Sequence, residues 1–185
     1  MALIAGFYLF TQPYAYQSSL IDPPLSAPDF SLNQADGTIF HISDYKGKLV
    51  LLYFGYTYCP DVCPTTLYDL AKAKERLGED ASNIQVVMVT VDPERDSPDH
   101  LEKYAKTFDP SFIGLSGEIK ELESIWSDYG VYRKKNINPS ATGYLVDHAA
   151  RVYIIDKNGD LRLTFPFGMD YQVLVDDLAH LLDEE

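Results

Sequence analysis

The sequence predicts an α/β fold: a partly parallel sheet with helices on both of its faces. Three observations predict it. A continuous apolar run, residues 49–54, and a second, largely apolar one, 84–91, read as buried strands. Each run is followed by a helix-start signal and a helical apolar period. The chain then closes on a hairpin signal and one more helix, so strands and helices alternate as they do when crossovers make neighbouring strands parallel.

Each element has its own signal. Residues 30–32 and 38–42 flank Ala35-Asp36-Gly37, a hairpin pattern. The stretch 64–77 reads as a helix with Leu67, Leu70, Ala71 and Leu77 on one face. Proline is favoured at the first helical position, which places Cys63 at or beside the N-cap. Ser97-Pro98 opens a second helix, with Leu101, Tyr104, Ala105 and Phe108 at helical spacing. Residues 111–115 read as a short strand, and 118–129 as a third helix with Ile119, Leu122, Trp126 and Tyr129 inward. Residues 136–142 read as a polar loop. The runs 152–156 and 161–165 flank Lys157-Asn158-Gly159-Asp160, and Asn-Gly is the strongest short hairpin signal. A last helix covers about 170–182. There is no internal repeat and no second domain. This order, with cysteines after the first buried strand, is that of a thioredoxin-like domain with an N-terminal β-hairpin extension.

The bulk properties bound the function. A chain of 185 residues, 46% apolar, builds one real core. A net charge of −13 offers no basic footprint and excludes a nucleic-acid partner. Two cysteines are too few for a disulfide scaffold.

Residues 1–10 are almost wholly apolar, no charge precedes Asp22, and the first Lys or Arg is Lys46. The run is shorter than the roughly 20 residues that span a bilayer. It also lacks the positive start of a signal peptide. Residues 1–14 are therefore expected to be the remnant of an N-terminal membrane anchor. Residues 15–28, rich in proline and serine, are expected to be a tether, and 29–185 the folded domain. An ordinary buried N-terminal segment is the alternative. The lack of Lys and Arg after the apolar run suits the non-cytoplasmic side of a membrane, the bacterial periplasm or the mitochondrial intermembrane space.

The only two cysteines stand in Cys59-Pro60-Asp61-Val62-Cys63-Pro64, between a buried strand and a helix. Backbone N–H groups and the helix dipole favour thiolate there, the form that attacks disulfides and binds metals. The three intervening residues, one more than in thioredoxins, allow a disulfide or a metal grip. Asp61 reads as a cap of the following helix, or else as a group that tunes thiolate charge. The turn Asp92-Pro93-Glu94-Arg95-Asp96 reads as a salt-bridged turn at the same sheet end, with partner docking as the minor reading.

A third ligand would decide between the roles of the cysteines. His41, His100 and His180 read as solvated or locally bonded histidines. His148 lies just before the C-terminal hairpin, at the junction where thioredoxins place a cis-proline against the cysteine loop. That makes it the candidate third ligand. Two thiolates and one imidazole form a soft, low-coordinate set suited to Cu(I) and acceptable to Cu(II). Zinc is the rival, but structural zinc takes four ligands and no fourth is evident.

The segments YFGYTYCPDVCPTTL (53–67), VTVDPERDSP (89–98) and YLVDHAARVYIIDKNGDLR (144–162) resemble the Sco/SenC family. The resemblance runs from about residue 27 to the C-terminus. That family consists of membrane-tethered, thioredoxin-like copper metallochaperones that assist cytochrome c oxidase assembly. The resemblance implies Cys59, Cys63 and His148 as ligands of Cu(I) or Cu(II), and Cys59 and Cys63 as a redox-active pair that cycles to a disulfide. It implies the copper A domain of cytochrome c oxidase subunit II as partner, with an upstream copper donor protein as a further one. The leading reading is a metal-transfer protein rather than an enzyme. The alternative is a thiol–disulfide oxidoreductase acting on the partner's copper-site cysteines without carrying copper. A peroxiredoxin-like peroxidase is disfavoured, because Thr57 is present but no arginine partner is evident.

Overall fold

The computed structural model describes residues 14–140 and 143–184. In chain order its strands are β1 (Ser19–Ser26), β2 (Ser31–Asn33), β3 (Ile39–His41), β4 (Leu49–Gly55), β5 (Ile84–Thr90), β6 (Ile113–Leu115), β7 (Arg133–Ser140), β8 (Gly143–His148), β9 (Arg151–Ile155) and β10 (Asp160–Pro166). The α-helices are α1 (Val62–Leu77), α2 (Pro98–Lys106), α3 (Ile119–Asp128) and α4 (Tyr171–Asp183).

The two apolar runs become β4 and β5, which pair in parallel with Leu49 opposite Ile84 and Gly55 opposite Thr90. Every residue of β4 is buried. This follows from a sheet in the order β1-β10-β9-β4-β5-β6, in which β4 is central. Alternation along β4 then covers both faces. Tyr53 turns toward α1, beside the Cys63 sulfur. Phe54 turns the other way and meets the Tyr129 ring, just past α3, at 5.6 Å.

The sheet order also sets where the chain crosses the cysteine loop. Strand β9 runs antiparallel to β4, with Tyr53 opposite Val152 and Val50 opposite Ile155. The start of β9 therefore lies at the end of β4, where the cysteine loop begins. His148, three residues before β9, is delivered to that loop by topology.

The predicted helices and the hairpin β9–β10 form at the expected places. Gly159 takes φ +90° in the hairpin turn, a conformation that suits glycine. The N-terminal hairpin forms as β2 paired with β3, Leu32 opposite Phe40. Helix α2 starts as expected, with the Ser97 side chain accepting from the His100 amide. Helix α3 carries a reciprocal capping box between Glu118 and Glu121.

Three expectations need correction. Residues 15–28 are not a free tether over the described part: Ser19–Ser26 is an edge strand paired antiparallel with β10. The residues before it are fastened to α4, where the buried Asp177 accepts from the Ser18 amide at 2.7 Å and the Tyr14 hydroxyl at 2.9 Å. The expected anchor remnant, residues 1–14, lies outside the described residues but for Tyr14. The expected polar loop is largely a second hairpin, in which β7 pairs with β8 and Arg133 stands opposite His148. Finally, α1 begins at Val62, so Pro64 lies within the first turn rather than at its first position, and Asp61 is the N-cap residue.

Candidate metal centre

Strand β4 ends at Gly55, and the chain turns through Tyr56-Thr57-Tyr58 into Cys59. The turn is pinned from below. The buried Asp96 accepts the Thr57 hydroxyl at 2.5 Å, the Thr57 amide at 3.2 Å and the Thr90 hydroxyl at 2.8 Å. One carboxylate thus ties the cysteine loop to the end of β5 and the start of α2.

The two cysteines are free thiols in unequal settings. Cys59 is partly exposed, and its Sγ accepts the Cys63 amide at 3.4 Å. That sulfur does the capping expected of Asp61, whose own side chain makes no cap hydrogen bond. Hydrogen bonding from the Cys63 thiol, aided by the amides of Asp61, Val62 and Cys63, pulls the Cys59 thiol down to about 6. Cys63 is fully buried, and the neighbouring Cys59 together with burial holds its thiol far above the ordinary range. Cys59 is therefore the thiolate at neutral pH, and Cys63 keeps its proton.

His148 completes the arrangement. Its Nε2 lies 3.7 Å from the Cys63 Sγ, and its Nδ1 lies 3.2 Å from the Ala149 carbonyl oxygen. A carbonyl only accepts, so Nδ1 carries the proton and Nε2 presents a lone pair to the sulfur. Burial pushes the imidazole pKa down and keeps the ring neutral, the state a metal ligand needs. Tyr53 and Tyr56 hold the ring edge-on at 6.3 Å and 5.9 Å. The cysteine loop and β8 enclose a groove of about 300 Å³, lined by Tyr56, Cys59, Pro60, Asp61, Leu145 and His148. Another cleft, of about 150 Å³, lies at the opposite end of β4 among Ile42, Lys46 and Asp156, away from this chemistry.

Among the described residues no three His, Cys, Asp or Glu side chains converge as a ready-made metal cage. The Cys63–His148 pair is the fixed part of the arrangement, with Cys59 beside Cys63 as the exposed third donor. The donor set fits a soft metal: one thiolate, one thiol ready to lose its proton, and one neutral imidazole.

The other histidines and the Asp92–Asp96 turn divide as structural parts. The His100 Nε2 lies 3.1 Å from the Thr57 hydroxyl oxygen, and His180 stacks on Tyr14 at 4.0 Å. His41 lies in β3. Arg95 pairs with Asp92 at 2.5 Å, donates to the Tyr144 carbonyl at 3.0 Å and lies 3.6 Å over the Tyr144 ring. The Tyr144 hydroxyl returns to Asp92 at 2.7 Å, and Lys135 pairs with Glu94. The turn thus straps down the hairpin that carries His148. An arginine does stand near the motif, 4.7 Å over the Tyr58 ring, but its fork is committed to Asp92 and Tyr144. The Thr57 hydroxyl is likewise committed to Asp96. Sequence reading missed the Arg95 strap and the Thr57–Asp96 tie. The only trace of either was an acidic turn at the right sheet end.

A family model described as SCO1/SenC matches residues 19–183 of the chain. The chain belongs to that family. A "SCO2-like protein" of Rickettsia felis is 39% identical over 132 residues, covering 71% of this chain and 64% of the relative. The matched part thus spans less than two thirds of that Sco relative's length. The solution structure of apo Sco1 from Thermus thermophilus matches with a TM-score of 0.81 at 37% identity, covering 91% of this chain and 98% of that one. The Arabidopsis thaliana ScoI crystal structure, described as having copper bound, matches with a TM-score of 0.79 at 32% identity, covering 86% and 99%. The thioredoxin-like fold expected from the sequence is the fold these Sco structures share.

Proposed function

We propose that this chain is a copper-binding metallochaperone that delivers copper to the dinuclear copper A site of cytochrome c oxidase subunit II. Copper is its cargo, held by Cys59, Cys63 and His148. The observation that carries this reading is the 3.7 Å separation of the Cys63 Sγ and the His148 Nε2. Thiolate and imidazole bonds to a first-row metal are about 2.3 and about 2.0 Å long. With about 120° between them, those bonds set sulfur and nitrogen about 3.7 Å apart. The pair therefore has the spacing a shared metal imposes. Family membership and the copper-bound Arabidopsis relative support the choice of metal.

The chain's own groups divide the work. Cys59 offers a thiolate at the rim of the groove, suited to be first to meet incoming copper and last to release it. Cys63 yields its proton on binding. The neutral His148 nitrogen supports Cu(II) as well as Cu(I). Ligand exchange with the partner's cysteines completes delivery, and an upstream copper donor protein loads the site again.

The thiol asymmetry favours a second role for the same pair. The Cys59 thiolate attacks a disulfide of the partner, forming a mixed disulfide and releasing one partner thiolate. The Cys63 thiol, its proton lost, then displaces the second. The products are a Cys59–Cys63 disulfide and a partner dithiol, so two electrons pass to the partner.

The apolar residues 1–10, and the absence of Lys and Arg before Lys46, support a membrane anchor with the folded domain on the non-cytoplasmic side. Among the described residues no helix is long and apolar enough to cross a membrane.

Copper titration of the reduced protein, followed by absorption and EPR spectra, tests the proposal. It predicts one copper per chain and thiolate-to-Cu(II) charge-transfer bands that are lost in Cys59→Ser. No such bands, with a normal disulfide cycle, would leave the oxidoreductase role alone.

A further inference from the structure

The hairpin β7–β8 stands outside the six-stranded sheet: among the described residues its two strands pair only with each other. His148 ends β8, so no ladder with the central strands sets its place beside Cys63. Its C-terminal flank is fixed, since the Phe167 amide donates to the Ala150 carbonyl at 3.0 Å and β9 enters the sheet at Arg151. Its N-terminal flank depends on side chains from elsewhere in the fold. Arg95 grips that flank at Tyr144.

The grip is threefold. The Arg95 Nη1 donates to the Tyr144 carbonyl at 3.0 Å, and the guanidinium lies 3.6 Å from the centre of the Tyr144 ring. The Arg95 Nε donates at 2.5 Å to the Asp92 carboxylate, which also accepts the Tyr144 hydroxyl at 2.7 Å. Asp92 is fully buried, so this charge-assisted pair is shielded from water and its geometry is set. The same guanidinium lies 4.7 Å over the ring of Tyr58, the residue before Cys59. Arg95 therefore touches both halves of the site, the loop that carries the cysteines and the strand that carries His148. A planar fork can bond a carbonyl, pair with a carboxylate and stack on rings at once, which an ammonium cannot do.

We propose that Arg95 is a positioning residue of the metal site: it clamps Tyr144 of β8 against the cysteine loop and so holds the His148 imidazole at the Cys63 sulfur. The assignment rests on the copper-site reading above. It goes beyond a salt-bridged turn, because Arg95 then acts on copper only through His148 and never touches the metal itself.

The variant Arg95→Lys keeps the positive charge and removes the fork. In the metal-free variant, NMR cross-peaks between the His148 ring and the rings of Tyr53 and Tyr56, whose centroids lie 6.3 Å and 5.9 Å away, are expected to weaken or vanish. The alkylation rate of Cys59 should stay at the wild-type value, since the loop keeps its tie to Asp96. Cu(II) should bind about tenfold more weakly, the scale of a lost supporting group. In a His148→Ala background the same change should cost nothing further, within about twofold. Undiminished cross-peaks, or a Cu(II) affinity within about twofold of wild type, overturn the assignment. So does a loss that adds in full to that of His148→Ala, because Arg95 would then act by another route. If Arg95→Lys does not fold, Tyr144→Phe decides: it removes one hydrogen bond of the clamp and should weaken Cu(II) binding by about fivefold, again with nothing added to His148→Ala. Wild-type affinity in that variant overturns the assignment. A wild type that binds no copper ends the copper reading, while the cross-peaks still decide whether Arg95 holds His148 in place.

Discussion

The His148 Nε2 lies 3.7 Å from the Cys63 Sγ, although 85 positions of chain separate the two residues. Topology makes this contact: β9 runs antiparallel to β4, so the residues that precede β9 arrive where the cysteine loop leaves the sheet. His148→Ala is expected to weaken Cu(II) binding by about a hundredfold or more, because a direct ligand is worth at least as much as its supporting partners. Disulfide exchange by Cys59 and Cys63 should survive. Equal Cu(II) affinity in the variant, measured by competition titration, would remove His148 from the site.

The inequality of the two thiols sets a pH dependence. With the Cys59 thiol near 6, iodoacetamide should modify Cys59 first, at a rate that rises with a midpoint near pH 6. Cys63 should stay silent over the same range, because its thiol is raised. The sign for stability follows. A depressed thiol pKa contributes stability that is fully present above the unfolded thiol value of about 8.5 and is lost as pH falls through about 6. Cys59→Ser should flatten that part of the stability–pH curve, as read by urea unfolding of reduced protein. A midpoint near 8.5 in the alkylation profile would contradict the assignment of Cys59 as the thiolate held by the Cys63 thiol and the helix amides.

Thr57→Val keeps the amide donation to Asp96 and loses the hydroxyl donation at 2.5 Å, together with the His100 contact to that hydroxyl at 3.1 Å. A hydrogen bond to a buried carboxylate is worth about 1.5–3 kcal/mol, and the variant should lose about that much on urea unfolding. A loss under about 0.5 kcal/mol, the scale of an ordinary surface substitution, would show that Asp96 does not tie the loop down.

Gly55→Ala tests the close packing beneath the site. Its Cβ would enter at 2.6 Å from Tyr53 and 3.1 Å from the Cys63 sulfur, and Met88 also stands at 3.1 Å. Overpacking of this kind costs about 1–3 kcal/mol, and the displaced sulfur should also bind copper more weakly. A variant with wild-type stability and affinity would show that the strand has room to shift.

The sequence carried the central frame because its signals there are local. The run that became β4 is almost wholly apolar, the one that became β5 is broken only by Gln85 and Thr90, and Asn158-Gly159 names its own turn. What it hid depends on distant partners. Strand β1 holds Pro23 and Pro24 and is mostly exposed, so only its pairing with β10 makes it a strand. Strand β7 reads RKKNINPS, a polar string whose ladder comes from β8 and whose tie to the acidic turn is the Lys135–Glu94 pair. Within the site, the motif named the two cysteines but not their division of labour. Whether Cys59 or Cys63 caps the helix turns on where α1 begins, two residues before Pro64, and no local rule sets that start.

The most direct test of the central claim is X-ray absorption of the copper-loaded, reduced protein. The account predicts two sulfur scatterers at about 2.3 Å and one imidazole nitrogen at about 2.0 Å around a single copper, with the nitrogen lost in His148→Ala and one sulfur lost in each cysteine variant. A wild-type copper shell with no imidazole, or one unchanged in His148→Ala, would contradict it.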